Sequence, residues 1–214
     1  MTENGFEYVD LGLPSKTMWA TCNVGAIKPE DSGLLFQWGR TDGYKYGDKT
    51  HKFKTNKQNK QDTGSEYMPI TTSGKAYNAG ETLDLEDDAA HANMGGVWRM
   101  PTKDELEELC NNTTRDVTFI NGVKGMLLTS NINRNQLFIP FTGYWNNNND
   151  SFNYTGSVTN IWSSQVYDDI KGTYVLYCSS SGLAFISLNY RSCTLSVRPV
   201  FNFNDNNNNI NMLI

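Results

Sequence analysis

The strongest constraint on the fold is a repeated alternation of short apolar runs and small polar turns. After Asp116 the apolar runs lie about ten residues apart, and the segments between them are rich in glycine, asparagine and serine. This spacing predicts short antiparallel strands. Three earlier runs, which begin at Phe6, Met18 and Leu34, predict strands near the amino terminus. The later runs cover residues 118–120, 125–129, 137–140, 161–164, 173–177, 183–186 and 195–200.

Two segments predict helices. Acidic residues followed by alanines at 84–92 suit a short helix, because negative charge at its start complements the helix dipole, and Gly95-Gly96 would end it. In the segment after Pro101, Thr102 and Glu105 predict a capping box, in which each side chain satisfies the other residue's backbone amide. With few helices and many strands, the expected fold class is α+β, with small antiparallel sheets, two short helices and long loops.

Length and composition predict one domain. The chain has 214 residues, of which 38% are hydrophobic and 12% aromatic, and this is enough to form one core. We expect the domain to span 1–201, with a lysine-rich loop at 41–64 and an asparagine-rich tail at 202–214. The loop could bind polyanions, but its glycine and asparagine content favours a solvated excursion.

Charge and hydropathy exclude two classes of partner. A net charge of −5 leaves no basic field, so we expect no nucleic acid partner. No apolar stretch reaches the roughly 18 residues of a membrane-spanning helix, so we expect no membrane insertion. Residues 1–5 lack the basic and apolar regions of an export signal, so we expect no entry into the general secretory pathway.

The sequence lacks the usual signatures of catalysis and metal binding. His51 and His91 have no nucleophile or metal ligand at a recognised spacing, and neither a GxSxG nor a GxxxxGK[ST] motif occurs. The acidic residues at 84–88 could bind calcium, but a helix start is the favoured interpretation. No two of the four cysteines form a CxxC pair, so the spacing predicts no zinc site. The four cysteines could form two disulfides in an oxidising compartment, but without an export signal we predict free thiols. We also predict no metal, no cofactor and no catalytic residue. The four cysteines are Cys22, Cys110, Cys178 and Cys193.

The stretch from Gly143 to Tyr190 mixes aromatic rings with asparagine, serine and glycine. Binding loops use this mixture, because tyrosine and tryptophan give a large contact area at low entropic cost. Trp162 is an exception, since its strand-like flanks predict a core position, and we expect about half of the rings to pack inside the domain. The residues predicted to bind a ligand are Tyr144, Trp145, Tyr154, Tyr167, Tyr177, Asn189 and Tyr190.

Three stretches carry a more specific pattern. The first contains VDLGLPS at 9–15 and WATCNVGA at 19–26, the second contains EDDAA at 86–90 and GGVWRMPT at 95–102, and the third is SVRPV at 196–200. Together they resemble the major paralogous domain first named in Fibrobacter succinogenes and abundant in gut Bacteroidetes. The resemblance extends from about Tyr8 to Val200 and implies a C-type-lectin-like fold, related to the formylglycine-generating-enzyme group.

The resemblance also implies roles for a set of framework residues. The first and last strands would pair, Trp98 and Arg99 would lock the capped helix to the core, and Arg198 would meet a buried carboxylate or carbonyl group. Asp87 or Asp88 is the candidate carboxylate. The implied framework residues are Trp19, Asp87, Asp88, Trp98, Arg99, Trp162 and Arg198.

Two features depart from members of the wider fold group that act through a metal. Calcium-dependent sugar lectins carry Glu-Pro-Asn or Gln-Pro-Asp and Trp-Asn-Asp triplets, whereas this chain has KPE at 28–30 and WNN at 145–147. The formylglycine-generating oxidases bind copper with a closely spaced cysteine pair, whereas Cys178 and Cys193 are far apart in sequence. We therefore expect neither calcium-mediated sugar binding nor, as the first choice, oxidase activity.

The favoured interpretation is a non-enzymatic binding or assembly module on the virion of a bacteriophage that infects Bacteroidetes. It would be a fibre, receptor-binding or capsid decoration subunit, with other virion proteins, further copies of itself and a host-surface glycan or protein as partners. The asparagine-rich and tyrosine-rich stretch is similar to C-type-lectin-like proteins diversified by retroelements, although an AT-rich genome also enriches asparagine. Two alternatives stay open: a secreted or cell-surface bacterial adhesin, and a formylglycine-generating-type oxidase.

Overall fold

The computed structural model describes residues 1–46, 71–146, 151–167 and 172–203. They form the α+β fold that the spacing of the apolar runs predicts, with many antiparallel strands and two short α-helices. Three predicted features lie wholly or mostly outside the described residues: His51, the lysine-rich loop at 41–64 and the tail at 202–214.

Two short α-helices separate the amino-terminal strands from the later ones. The helices are α1 (Ala89–Met94) and α2 (Lys103–Asn111), and a single 3₁₀ turn covers Leu85–Asp87. The strands are β1 (Thr2–Glu3), β2 (Phe6–Asp10), β3 (Met18–Ala20), β4 (Leu34–Gln37), β5 (Tyr44–Lys45), β6 (Thr113–Ile120), β7 (Val123–Ser130), β8 (Gln136–Pro140), β9 (Tyr144–Asn146), β10 (Ser151–Asn153), β11 (Val158–Val166), β12 (Gly172–Ser179), β13 (Ala184–Tyr190), β14 (Thr194–Ser196) and β15 (Val200–Phe201).

The strands form three sheets. A terminal sheet has the order β1-β2-β3-β15, and a meander has the order β6-β7-β8. The large sheet has the order β10-β9-β14-β11-β12-β13, with β4 added beside β14 and β5 beside β4. Within it β11 and β14 run parallel, and the other pairs are antiparallel.

The first predicted helix begins later than its acidic run. Helix α1 begins at Ala89 because Asp88 is its N-cap and accepts the amide hydrogens of Ala90 (2.8 Å) and His91 (3.0 Å). Asp87 is buried in the preceding 3₁₀ turn, where it accepts hydrogen bonds from Ser73 and from the Tyr77 hydroxyl. The acidic run therefore forms a turn and a cap instead of the first turn of a helix.

The second predicted helix is confirmed with its capping box. The Thr102 hydroxyl accepts from the Glu105 amide (3.3 Å), and the Glu105 carboxylate accepts from the Thr102 amide (2.8 Å). Leu106 and Leu109 are fully buried and pack against the large sheet and the meander. Within the described ranges, no helix has the length and apolar character needed to cross a bilayer.

The last predicted strand, 195–200, is in fact two strands in different sheets. Strand β14 belongs to the large sheet and β15 to the terminal sheet, and the chain leaves the strand conformation at 197–199. Pro199 lacks an amide hydrogen and cannot extend a ladder. Strand β15 pairs with β3, through Val200 opposite Trp19. The closing strand therefore joins the amino-terminal sheet, but it pairs with β3 and not with the first strand.

Two apolar clusters fill the interior. One contains Trp38, Trp98 and Trp162, and the other contains Trp19 and the buried side of α2. Trp98 packs edge-on against Phe201 of β15, with ring centroids 4.9 Å apart, and its indole nitrogen donates to the Glu3 carbonyl. Trp98 therefore contacts both β1 and β15, the first and last strands of the described chain.

Arg99 and Arg198 hold the framework in different ways. Arg99 forms two hydrogen bonds with the Glu105 carboxylate, at 2.7 and 2.8 Å, and so attaches α2 to the strand bridge at Val200. Arg198 is completely buried and donates to the side-chain oxygen of Asn23 and to three backbone carbonyls. The carbonyl option predicted for Arg198 is therefore the one observed.

The suggestion that Asp87 or Asp88 pairs with Arg198 is wrong. Asp88 caps α1 and also accepts the Met100 amide hydrogen at 2.8 Å, while Asp87 holds Ser73 and Tyr77. Burial raises the pKa of Asp88, and its three amide donors act against that shift. Both carboxylates are therefore engaged in local backbone geometry.

A candidate aromatic binding surface

A row of four aromatic side chains crosses one end of the large sheet. Tyr154 stacks on Tyr144, with ring centroids 5.8 Å apart and an interplanar angle of 29°. Tyr177 packs against Phe185 at a centroid distance of 5.0 Å. We call Tyr144, Tyr154, Tyr177 and Phe185 the aromatic row.

Strand register places this row on one face. Tyr177 on β12 is opposite Phe185 on β13 and opposite Asn160 on β11, and opposed residues share a face. Gly143 bridges to Thr159 in β11. Tyr144 and Asn160 are the next residues along the chain, so they lie side by side on the face opposite to that of Gly143 and Thr159. This is the face of Tyr177 and Phe185, and the row therefore runs from β9 and β10 to the edge strand β13.

The row combines exposed ring surface with tyrosine hydroxyl groups. Tyr154 is 61% exposed and Phe185 is 45% exposed, whereas Tyr144 and Tyr177 are half-buried. Burial raises the pKa of Tyr144, and the neighbouring Cys193, Tyr154 and Tyr177 add to the shift. The Tyr144 hydroxyl is therefore protonated at neutral pH and keeps its hydrogen-bond donor.

Backbone geometry fixes the turn that carries Tyr144 and Tyr154. Gly143 has φ +69°, and a Cβ atom there would lie 2.4 Å from the Asn153 carbonyl oxygen. The Gly143 amide donates to the Val158 carbonyl at 2.8 Å, and the Tyr154 carbonyl accepts from both Ser157 and Val158 at 2.9 Å. The two stacked tyrosines therefore stand on a closely packed, hydrogen-bonded turn.

Trp145 belongs to a separate aromatic contact. It is opposite Phe152 in the β9–β10 pair, with ring centroids 4.8 Å apart, and Phe152 also packs against Tyr46 at 4.5 Å. Because neighbouring residues on a strand point to opposite faces, Trp145 faces away from Tyr144. The structure thus separates Trp145 from the aromatic row.

The other predicted ligand residues lie further from the row. Tyr190 and Tyr167 are 46% and 47% exposed, and Tyr167 packs edge-on against Tyr174 of β12 at 5.4 Å. By register Tyr190 is on the opposite face of β13 from Phe185. Asn189 shares the face of Phe185, four residues along the strand. Tyr144, Tyr154 and Tyr177 are the predicted ligand residues that the structure brings together.

Phe185 is the member of the row that is missing from the predicted ligand residues. Phe185 lies in the apolar run at 183–186, which predicts a strand. The ligand residues are predicted from rings next to asparagine, serine and glycine, so a ring inside an apolar run is not included. The alternation of apolar and polar residues from Ile186 to Tyr190 is the signal that could have fixed the faces of the strand and shown Phe185 and Asn189 to share one.

Three of the four thiols lie in the two apolar clusters. Cys178 and Cys110 lie in the cluster beneath α2, whereas Cys193 lies in the other cluster, beside Tyr144. Burial raises the pKa of Cys110 to about 11 and raises that of Cys178 further. All four cysteines are free thiols. The two cysteines of the oxidase alternative therefore pack in different parts of the core.

A cavity on another part of the surface contains few ionisable groups. It has a volume of about 350 Å³, and its lining includes Phe6, Glu7, Thr21, Cys22 and Met94. Burial raises the pKa of the Cys22 thiol, which keeps it protonated at neutral pH. Among the described residues, no three histidine, cysteine, aspartate or glutamate side chains lie together in a way that could hold a metal ion.

Comparisons of this chain with protein-family models, with curated proteins and with solved structures found no match.

Proposed function

We propose that this chain is a non-enzymatic binding or assembly module with a C-type-lectin-like fold, and that the aromatic row is its contact surface. The observation that carries the proposal is the row itself: Tyr144, Tyr154, Tyr177 and Phe185 lie on one face, in two packed pairs, with exposed ring surface at both ends. Such rings give a large contact area with little side-chain entropy to lose.

The framework beneath the row supports a presentation role. The half-buried Tyr144 packs against the core cluster that contains Trp162, and the turn after β10 is hydrogen-bonded on both sides. A rigid support lowers the entropic cost of binding. The row offers hydroxyl groups and ring faces and contains no charged residue type, which suits a glycan or an uncharged protein surface better than a strongly charged ligand.

The C-type-lectin-like assignment rests on the resemblance of the sequence motifs and is compatible with the fold. A closing strand returns to the amino-terminal sheet, two helices accompany small sheets, and Trp98 and Arg198 lie in the core. The WRMPT segment at 98–102 leads directly into the capped helix. These features support the proposal at the level of α+β architecture.

The proposed location is the surface of a bacteriophage virion, where the chain would act as a fibre, receptor-binding or decoration subunit. The aromatic row supports this role, because a virion protein needs a surface for host or subunit contact. Mass spectrometry of purified virions tests the location. Stoichiometric amounts of the chain support it, and absence of the chain from the particles contradicts it.

We expect Tyr154→Ala to weaken binding of the fluorescently labelled protein to intact Bacteroidetes cells by about tenfold or more, as loss of an interface hot spot does. Tyr154 is the most exposed ring of the row, so its removal should leave the fold unchanged. The measurement is the apparent Kd from cell-binding isotherms with wild-type protein and variant.

Phe119→Ala is the matched control, because Phe119 is a 64% exposed ring on β6, in a different sheet. It should leave the Kd unchanged. Tyr154→Phe keeps the ring and should retain most of the binding. Equal binding by wild type and Tyr154→Ala, or an absence of cell binding by the wild type, would contradict the proposed contact surface.

A further inference from the structure

Strand β13 forms an open edge of the large sheet. Its seven residues, Ala184–Tyr190, pair with β12 in one continuous antiparallel register, with no bulge. In the part of the chain that the structure describes, no strand pairs with the other side of β13. At Ala184, Ile186 and Leu188 that side presents backbone donors and acceptors that form a template for another strand. At Tyr190 the amide donates to the Asn189 side chain and the carbonyl accepts from Cys193, so the template ends there.

The other sheet edges in the described residues carry features that prevent such pairing. Strands β1, β5 and β15 have two residues each, and β10 has three. Strand β6 contains Arg115 and Asp116, and β8 ends in Pro140. Short length, charge and proline are the devices by which native proteins protect edges. Strand β13 has none of them.

Strands β12 and β13 and the turn between them also lack charged residues. From Gly172 to Tyr190 the sequence contains no lysine, arginine, aspartate or glutamate, although the chain as a whole has a net charge of −5. Two copies that pair their β13 strands would bring no like-charged strand residues together. The same edge exposes Leu183, Phe185, Leu188 and Tyr190, each 45–54% accessible.

We infer that β13 is a self-association edge, at which two copies of the chain pair their β13 strands antiparallel about a two-fold axis. The register that aligns the seven residues of each strand puts Ser187 opposite Ser187 of the second copy. Ile186 is then opposite Leu188, and Phe185 is opposite Asn189. An interface of this kind is isologous, so each apolar residue meets its partner twice.

The exposed side chains suffice for a weak dimer. The dimer would bury about 900 Å² over two copies if it covered all the surface that five side chains now expose. These are Leu183, Phe185, Leu188, Tyr190 and the nearby Tyr167. Backbone atoms of the paired strands add to this area. The total falls at the lower end of specific interfaces, so we expect a Kd of roughly micromolar size.

The two-fold axis lies perpendicular to the sheet, so both aromatic rows would face the same side. This deepens the proposed function, because the two rows would bind a surface with avidity through their Tyr154 ends, while the Phe185 ends lie in the dimer contact. The self-association itself does not depend on that function, since it is measured without any ligand. A dimer with no cell binding would refute only the proposed function, and a monomer that binds cells would refute only this inference.

Ser187→Lys and Ser187→Glu test the inference by sedimentation velocity over a range of protein concentrations. Each variant alone places like charges directly opposite each other across the axis, so the dimer Kd should rise about tenfold or more. An equimolar mixture of the two places opposite charges there and should restore dimers. Phe119→Lys, on the charged edge strand β6, should leave the Kd at its wild-type value.

Three results would overturn the inference: a wild-type protein that stays monomeric at millimolar concentration, association unaffected by Ser187→Lys, or no recovery in the mixture. Near-ultraviolet circular dichroism of each variant establishes that it is folded. The mixture also serves as a folding control, because a misfolded variant could not regain dimerisation on addition of its counterpart.

Discussion

Arg198→Met is expected to lower the free energy of unfolding by about 3–5 kcal/mol, because it leaves several buried acceptors without a donor and each costs about 1–3 kcal/mol. Its guanidinium donates to the Asn23 side chain at 3.0 Å and to the carbonyls of Ala20, Thr21 and Phe138. Methionine fills similar space but donates nothing, so these buried acceptors would lose their donor.

The size of this effect follows from the position of Arg198. The side chain connects β3 and the turn after it to β8 of the meander, at the point where the chain passes from β14 to β15. Burial lowers the pKa of Arg198 to about 10, so the guanidinium is still charged at neutral pH. Its loss would therefore loosen the junction of two sheets.

Urea denaturation of wild type and variants measures the effect. Arg115→Met is the matched control, because Arg115 is exposed and donates a hydrogen bond to the Cys110 carbonyl at 2.8 Å. It should cost less than about 1 kcal/mol. Arg198→Lys should lie between the two, since it keeps the charge but loses the planar donors. If the two methionine variants were equally stable, Arg198 would have no framework role.

Glu105→Gln is expected to cost about 2–3 kcal/mol at pH 7, as loss of a charge-assisted hydrogen-bond network does. Glu105 accepts hydrogen bonds from Arg99 at 2.7 and 2.8 Å, from the Thr102 amide at 2.8 Å and from the Thr17 hydroxyl at 3.1 Å. A glutamine side chain has one acceptor oxygen, and its NH₂ group would face the donors that now bond to the second carboxylate oxygen of Glu105.

The cost should depend on pH. Burial alone would raise the pKa of Glu105, but Arg99 and the hydrogen bonds from Thr102 and Thr17 outweigh it and lower the pKa below its usual value. A carboxyl group of this kind stabilises the fold above its unfolded pKa of about 4.3. That contribution disappears as the pH falls through the folded pKa, so wild type and Glu105→Gln should converge in acid.

The free energy of unfolding of both proteins, measured between pH 7 and pH 3, tests this expectation. Glu107→Gln is the control on the same helix, because Glu107 is 46% exposed and pairs with Lys103 at the surface. It should change stability by less than about 0.5 kcal/mol at any pH. A constant difference between wild type and Glu105→Gln across this range would rule out the ionised network as the source of stability.

Local patterns were enough to predict much of the fold. The capping box needs only Thr102 and Glu105, three residues apart, and its prediction is confirmed because the two groups satisfy each other. The α+β class follows from the spacing of apolar runs in the same way. Features decided by near neighbours in the chain could therefore be inferred from local sequence.

The predictions were wrong where contacts between residues distant in sequence determine the local structure. Helix α1 begins at Ala89 because Asp87 turns to Ser73 and Tyr77 and leaves Asp88 as the cap. The run at 195–200 divides because the Arg198 side chain finds its acceptors on β3, the turn after it and β8. Neither partnership leaves a signal in the neighbouring residues.

Composition identified the rings of the candidate surface but not their faces. Tyr144 and Trp145 are consecutive, as are Asn189 and Tyr190, and consecutive strand residues point to opposite faces. Membership of the aromatic row depends on the register between β11, β12 and β13. That register places Tyr177 beside Phe185 and could not be read from the order of residues alone.

Protection of tyrosine hydroxyl groups from acetylation tests most directly whether the aromatic row is the surface that makes contact. Tyr154, Tyr167 and Tyr190 are each 46–61% exposed in the free protein, so all three should react with N-acetylimidazole. When the Ser187→Lys variant, which is expected to be monomeric, is bound to Bacteroidetes cells, mass spectrometry should find acetylation of Tyr154 reduced several-fold and that of Tyr167 and Tyr190 unchanged. Equal acetylation of Tyr154 in bound and free protein would contradict a contact role for the row.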